Sequence, residues 1–245
     1  MPYTLPLAEA LDARGWALVQ VLLSSSYTGF GHSSLASDAQ ELGHLFGFLE
    51  DQLGSEAIGL VGHSTGCQDG VIYARDGARQ GRLRFCVLQA PVSDREHMLS
   101  ASEAAPAFVE QARALVAAGK GEQMLPREAM WAPITARRFL DLATKEGADD
   151  LFSSDLTDEE LRARLGHLHV PTLFLFSGAD EYLPAHVDVP ALGRRFVEAC
   201  QSQGKCPLPK AVVLEGAKHS GKGHEAEIVQ AIVAFVEEAM AAVGK

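Results

Sequence analysis

Ser64 stands in Gly62-His63-Ser64-Thr65-Gly66, directly after the apolar run Ala57-Ile58-Gly59-Leu60-Val61. The run reads as a strand, and a helix is expected to start at once after the serine. A strand, a sharp turn and a helix push a serine hydroxyl out at the top of a sheet, with helix N-terminal amides beside it. Ser64 is therefore a candidate nucleophile, and the Thr65 backbone N–H a candidate oxyanion donor. The five-residue pattern is short enough to arise by chance in a glycine-rich chain, where it would be a βα turn with no chemistry.

A serine hydroxyl attacks at neutral pH only with a base in hydrogen-bond reach and a carboxylate orienting that base. In an open parallel sheet such groups belong just beyond the carboxyl ends of later strands. Ser177-Gly178-Ala179-Asp180-Glu181 follows one apolar run, and Glu215-Gly216-Ala217-Lys218-His219 follows another. Asp180 is favoured as the acid over Glu181, because it takes the first position after the turn. His219 is favoured as the base over His224, which falls at the start of the last helix. The order Ser64, Asp180, His219 matches the hydrolase order of nucleophile, acid and base.

Other reactive side chains have simpler explanations. Gly29-Phe30-Gly31-His32-Ser33 lacks the lysine of a phosphate loop and the full dinucleotide pattern, so a turn near the pocket is expected. His63 is expected to pack behind the serine turn. Asp69 lies early in the helix after Ser64, where the helix dipole alone accounts for an acid. Cys67, Cys86, Cys200 and Cys206 lack metal-type spacing. A Cys200–Cys206 disulfide is conceivable, but free thiols are favoured and Cys67 is read as packing.

These groups need a frame to hold them. A helix is expected from Pro6 to Arg14, closed by Gly15, then a strand over Trp16 to Leu23 that is apolar on nearly both faces. A Ser/Gly-rich loop leads to a helix from Leu35 to Leu53. After the strand into Ser64, a helix runs to about Gln80 and another strand spans Arg84 to Ala90. This alternation marks a parallel α/β sheet. Residues 92 to 169 hold no convincing strand. Ser93 and Thr157 open capping-box patterns, and helices are expected around Phe108–Val116, over Ile134–Lys145 and over Leu161–Leu165. The βα pattern resumes with a strand at 170–176, a helix at 188–201, a strand at 211–214 and a helix at 223–242. One domain over 1–245 is expected, with a core at 1–91 and 166–245 and a helical cap inserted at 92–165.

The chain has 245 residues, and 32 acidic against 21 basic side chains give a net charge of −11. That balance argues against nucleic acid as a partner, because phosphate binding needs a basic surface. No stretch is long and apolar enough to span a membrane, and the start resembles no targeting peptide. A cytoplasmic protein acting on a small-molecule ester, with no cofactor, is the expectation; the oligomeric state stays open.

On these motifs the chain resembles the α/β-hydrolase superfamily. Gly29-x-Gly31-x-Ser33, the serine turn, Gly-x-x-Asp180 before Tyr182-Leu183-Pro184 and the late His219 match its layout. More narrowly it is similar to an uncharacterised family of fungi, plants and protists. Leu23–Tyr27, Gly62-His63-Ser64-Thr65-Gly66-Cys67-Gln68-Asp69, Leu88–Asp94, Phe152–Leu156 and Asp180-Glu181-Tyr182 carry that likeness. The resemblance implies an α/β-hydrolase-type, mostly parallel sheet flanked by helices, and an esterase-like serine hydrolase. Some relatives of this kind act on siderophore esters. It also implies strands before the first helix, one of them central, and a glycine-rich segment completing the oxyanion hole. Neither is legible here. Segments 16–23 and 57–61 are therefore expected to pair directly or to leave unsatisfied edges, and the oxyanion hole to be half built. A longer or truncated protein, with Met1 internal, is the expectation that follows. The rival reading is a non-catalytic hydrolase-fold protein that binds a small ligand.

Overall fold

A computed structural model describes residues 1–244. Four parallel strands form one sheet in the order β1-β2-β3-β4: Ile58–His63, Leu83–Gln89, Thr172–Ser177 and Pro209–Leu214. Pairings such as Val61 with Val87 and Leu88 with Phe174 fix the register. Helices α1 (Thr4–Asp12), α2 (Leu35–Leu53) and α3 (Thr65–Asp76) precede β2. Helices α4 (Asp94–Ala101), α5 (Ala105–Ala117), α6 (Ala136–Ala143) and α7 (Asp158–Leu165) lie between β2 and β3. Helix α8 (Val189–Gln201) joins β3 to β4, and α9 (Glu225–Val243) closes the chain.

The period-two pattern of the strands divides the core. From β2, Phe85 and Val87 face the cluster built with Leu7, Leu11, Ile228 and Ile232 of α1 and α9. Cys86 and Leu88 face the cluster of α2, α3 and α8, with Phe46, Val71 and Phe196. Leu173 and Leu175 of β3 go one way, Phe174 and Phe176 the other. Both strands are covered on two faces, which is why their sequences are nearly continuous apolar runs. The segment between β2 and β3 brings its own apolar cluster around Ala112, Ile134, Phe139 and Leu142.

The helix starts follow the sequence signals. Ser34 accepts from the Ser37 N–H, Ser93 from Glu96 and Thr157 from Glu160, the last as a complete capping box. In α4 the glutamate of the expected box turns away, and Glu96 instead binds the Ser154 N–H and hydroxyl. All four cysteines are free and buried, so the conceivable Cys200–Cys206 bond does not form.

The expected strand at 16–23 is a correction. The segment joins no sheet, and Val19, Val21 and Leu22 are 49%, 41% and 72% exposed. Trp16 and Leu18 settle against the α1/α9 cluster, and Leu23 against the other. The segment does not pair with β1, whose only strand neighbour among the described residues is β2, and Val61 is 37% exposed. A strand exists only when a neighbour meets its backbone groups, and local apolar pattern cannot supply that neighbour.

Candidate active site

The turn between β1 and α3 places Ser64 at φ 55°, ψ −126°. A non-glycine residue rarely adopts that conformation, so surrounding bonds must hold it. The Ser64 N–H donates to the Gln89 carbonyl at 3.1 Å, and the Cys67 N–H to the Ser64 carbonyl at 2.8 Å. Gly62 allows the turn to close, since a Cβ there would lie 2.1 Å from the Gly66 carbonyl oxygen. Thr65 opens the helix, where the N–H groups of the first turn have no intrahelical acceptor.

His219 Nε2 lies 2.8 Å from Ser64 Oγ. Its Nδ1 lies 2.8 Å and 3.0 Å from the two Asp180 oxygens. Facing a carboxylate, Nδ1 carries the proton and donates it, which leaves Nε2 to accept from the serine hydroxyl. Asp180 is the third residue beyond β3 and also accepts the Tyr182 N–H at 3.0 Å. His219 rides on the turn after β4, where Gly216 takes φ 73°. Asp180 and His219 are buried, whereas Ser64 keeps partial exposure. The rival acid does something else. The Glu181 carboxylate accepts the His219 backbone N–H at 3.0 Å, which holds its pKa below the usual range. His224 stands at the N-terminus of α9 with its ring against Gly216.

Aromatic rings bracket His219. The His63 ring lies 4.8 Å away on one contact and Tyr182 4.4 Å away on another, and His97 of α4 continues the row 4.5 Å from Tyr182. His63 therefore belongs to the site rather than behind it. Its Nδ1 lies 2.6 Å from Gln89 Oε1, which also accepts the Tyr3 hydroxyl at 3.1 Å, while Gln89 Nε2 donates to Ser177 Oγ at 3.2 Å. Burial lowers the His63 pKa to about 4, so the ring is neutral at pH 7. A glutamine inside the apolar run of β2 was the available sequence signal for this hub. Tyr182 entered the sequence reading only through the resemblance, and nothing local marked His97.

A buried group of carboxyls lies beside the serine helix. Asp69 is set against Asp38 rather than solvated at a helix end, so the dipole explanation fails. Burial first, then the Asp38 and Asp149 charges, push its pKa up to about 8. Arg138 of α6 pairs with Asp149 through contacts of 2.5 Å and 2.9 Å, both side chains buried, and donates to the Phe30 carbonyl at 3.2 Å. The loop before α2 is tied here. The Thr135 N–H meets the Gly31 carbonyl at 2.9 Å, and a Cβ on Gly31 would lie 1.7 Å from the Pro133 oxygen. Close backbone approach explains these glycines. Among the described residues, no group of three or more His, Cys, Asp or Glu is placed to hold a metal ion. No helix there is long and apolar enough to cross a membrane.

The family model described as "Protein of unknown function (DUF1749)" matches residues 1–241. Fusarinine C esterase sidJ of Aspergillus fumigatus is 30% identical, over 89% of this chain and 78% of that protein. The structure of the siderophore hydrolase EstB from Aspergillus fumigatus superposes with a TM-score of 0.78 at 26% identity. It covers 97% of this chain and 85% of that one. An alpha/beta hydrolase fold protein of unknown function matches with a TM-score of 0.69 at 24% identity, over 97% and 82%. The fold is that of the α/β hydrolases.

Proposed function

The chain belongs to the DUF1749 family, and within it we propose the function of a serine hydrolase that cleaves small-molecule carboxylic esters. The observation that carries this reading is the unbroken row Ser64 Oγ, His219 Nε2, His219 Nδ1, Asp180, with 2.8 Å at each step. Ser64 Oγ attacks the acyl carbon while His219 Nε2 takes the hydroxyl proton. The oxyanion forms against the Thr65 N–H and the positive end of α3. His219 hands the proton to the leaving alcohol, and an acyl-serine remains. Water then attacks the acyl carbon, His219 accepts its proton and returns it to Ser64, and the carboxylic acid departs. Asp180 fixes the ring and stabilises its charged form. The helices between β2 and β3 act as the cap that shapes the acyl pocket.

Relatives named a fusarinine C esterase and a siderophore hydrolase support an ester of siderophore type as substrate. Four buried free thiols favour a reducing compartment such as the cytoplasm.

A fluorophosphonate probe tests the reading, together with hydrolysis of short p-nitrophenyl esters. Labelling and turnover are expected in the wild type, and both vanish in Ser64→Ala. A folded wild type that neither labels nor turns over ester would leave the ligand-binding alternative in its place.

A further inference from the structure

His63 is the last residue of β1, directly before Ser64, and its ring rests on that of His219. Three buried residues support it from behind: Tyr3 ahead of α1, Gln89 at the end of β2 and Ser177 at the end of β3. The Tyr3 hydroxyl donates to Gln89 Oε1, and Gln89 Nε2 donates to Ser177 Oγ. Gln89 is the one side chain that bonds the Tyr3 hydroxyl. Turning the amide round would strand that buried O–H, so Oε1 faces Tyr3 and His63. An amide oxygen can only accept. The ring proton of His63 therefore sits on Nδ1, 2.6 Å from Oε1, and Nε2 is a bare lone pair.

The fold does not use that lone pair. Nε2 has no partner among the described residues. His167 Nδ1 and His224 Nδ1 also lack partners, but they are sealed from solvent, and His63 Nε2 is not. His63, Ser64, Thr65 and Gly66 are all half-buried, so an accessible strip runs through the nucleophile and includes this ring. The nitrogen also stays bare at neutral pH, because burial lowers the ring pKa to about 4. A ring that only packed against His219 would need no polar hub behind it, since a phenylalanine packs as well. The hub fixes the tautomer, and a fixed tautomer matters where the other nitrogen meets something.

We propose that His63 Nε2 accepts a hydrogen bond from the substrate, so that the preferred esters carry an O–H or N–H donor close to the scissile carbonyl. The two rings then divide the work. His219 moves the proton, and His63, too weakly basic to compete for it, reads the substrate. The donor belongs to the acyl part or to the alcohol part of the ester, and matched pairs of esters tell these apart. This rests on the esterase reading for the ester itself, while tautomer and binding are measured without turnover.

The test uses the whole chain carrying Ser64→Ala. Long-range proton–nitrogen correlation NMR at pH 7.5, on protein with isotope-labelled histidine, is expected to show His63 protonated on Nδ1 and bare at Nε2. Calorimetric titration then compares ethyl 3-hydroxybutyrate with ethyl 3-methylbutyrate for the acyl side. For the alcohol side it compares 2-hydroxypropyl butyrate with 2-methylpropyl butyrate. Each pair exchanges one hydroxyl for a methyl group. At least one hydroxy ester is expected to bind about fivefold or more tighter than its twin. Adding His63→Asn, whose amide N–H still serves Gln89 but which places nothing at Nε2, removes that preference. His63→Phe serves the same purpose if the asparagine variant fails to fold. A proton on Nε2, no hydroxyl preference in either pair, or a preference that survives loss of the ring nitrogen overturns the inference. Wild-type hydrolysis of the methyl twins reports separately on the esterase. Turnover without hydroxyl preference sinks only the His63 contact, whereas hydroxyl-dependent binding without any turnover sinks only the esterase reading.

Discussion

The imidazole of His63 lies against that of His219 with ring centroids 4.8 Å apart, and Gln89 holds it there through Nδ1 at 2.6 Å. The neighbour of the serine is thus a neutral ring wedged beside the proposed base. Its burial means that protonation favours the unfolded chain. The folded pKa of about 4 lies below the ordinary 6.5, so this contribution to stability is present above about pH 6.5 and lost as pH falls toward 4.

Replacing His63 by Phe keeps a ring at this position and removes the titrating group. Urea unfolding between pH 7 and pH 4 is expected to show a shallower loss of stability than in the wild type. The difference at the acid end is on the order of 3 kcal/mol. Because the bond to Gln89 is gone, kcat should fall about tenfold with little change in KM. Parallel pH–stability curves would show that His63 is solvated in solution.

Asp180→Asn retains the shape of the acid but not its preference for a donating Nδ1. A loss of about 10⁴ in kcat is expected, with an unchanged melting temperature. Glu181→Gln should cost less than about tenfold, since that side chain grips only the His219 backbone. Equal losses in the two variants would exchange their roles.

Asp69 titrates in the opposite sense to His63. Its folded pKa of about 8 exceeds the ordinary 3.8. Its contribution is complete below about pH 4 and is lost as pH rises through 8. Asp69→Asn removes the ionisation, so its stability relative to the wild type should grow steadily from pH 5 to pH 8. A pH-independent difference measured by denaturant melts would place the charge elsewhere.

Arg138→Met leaves Asp149 buried without its partner, and a loss of about 3–5 kcal/mol is expected. Arg138→Met with Asp149→Leu removes both charges and should lie well short of the sum of the single variants. Additive losses would mean the two side chains do not meet.

Gly31→Ala drives a Cβ into the Pro133 carbonyl, 1.7 Å away. The loop before α2 must then part from the segment ahead of α6. A loss of several kcal/mol, or failure to accumulate folded protein, is expected in thermal melts. Wild-type stability would show that this joint opens at no cost.

Most helices and four strands were legible, because each rests on a local rule. Leu35–Leu53 appears with the bounds that its apolar stripe, Ser34 and Gly54 require. Thr157 and Glu160 make the box that their spacing implies. The runs at 83–89 and 172–177 are nearly continuously apolar because both of their faces are covered. The run at 16–23 looks alike in sequence and fails, since no neighbouring strand meets its backbone.

The sequence by itself determined that a serine would stand on a tight turn between a strand and a helix, with an acid and a histidine after later strands. Glycine placement, apolar period and chain order are local or topological properties, and they suffice for that much. Only the tertiary structure decided that Asp180 rather than Glu181 faces the His219 ring. It alone made Gln89 a hub for Tyr3, His63 and Ser177, and left His63 Nε2 without a partner and open to solvent. Those outcomes depend on burial and on which side chains meet across tens of residues. Desolvation and hydrogen-bond partnership are properties of packed neighbours, and no spacing along the chain encodes them.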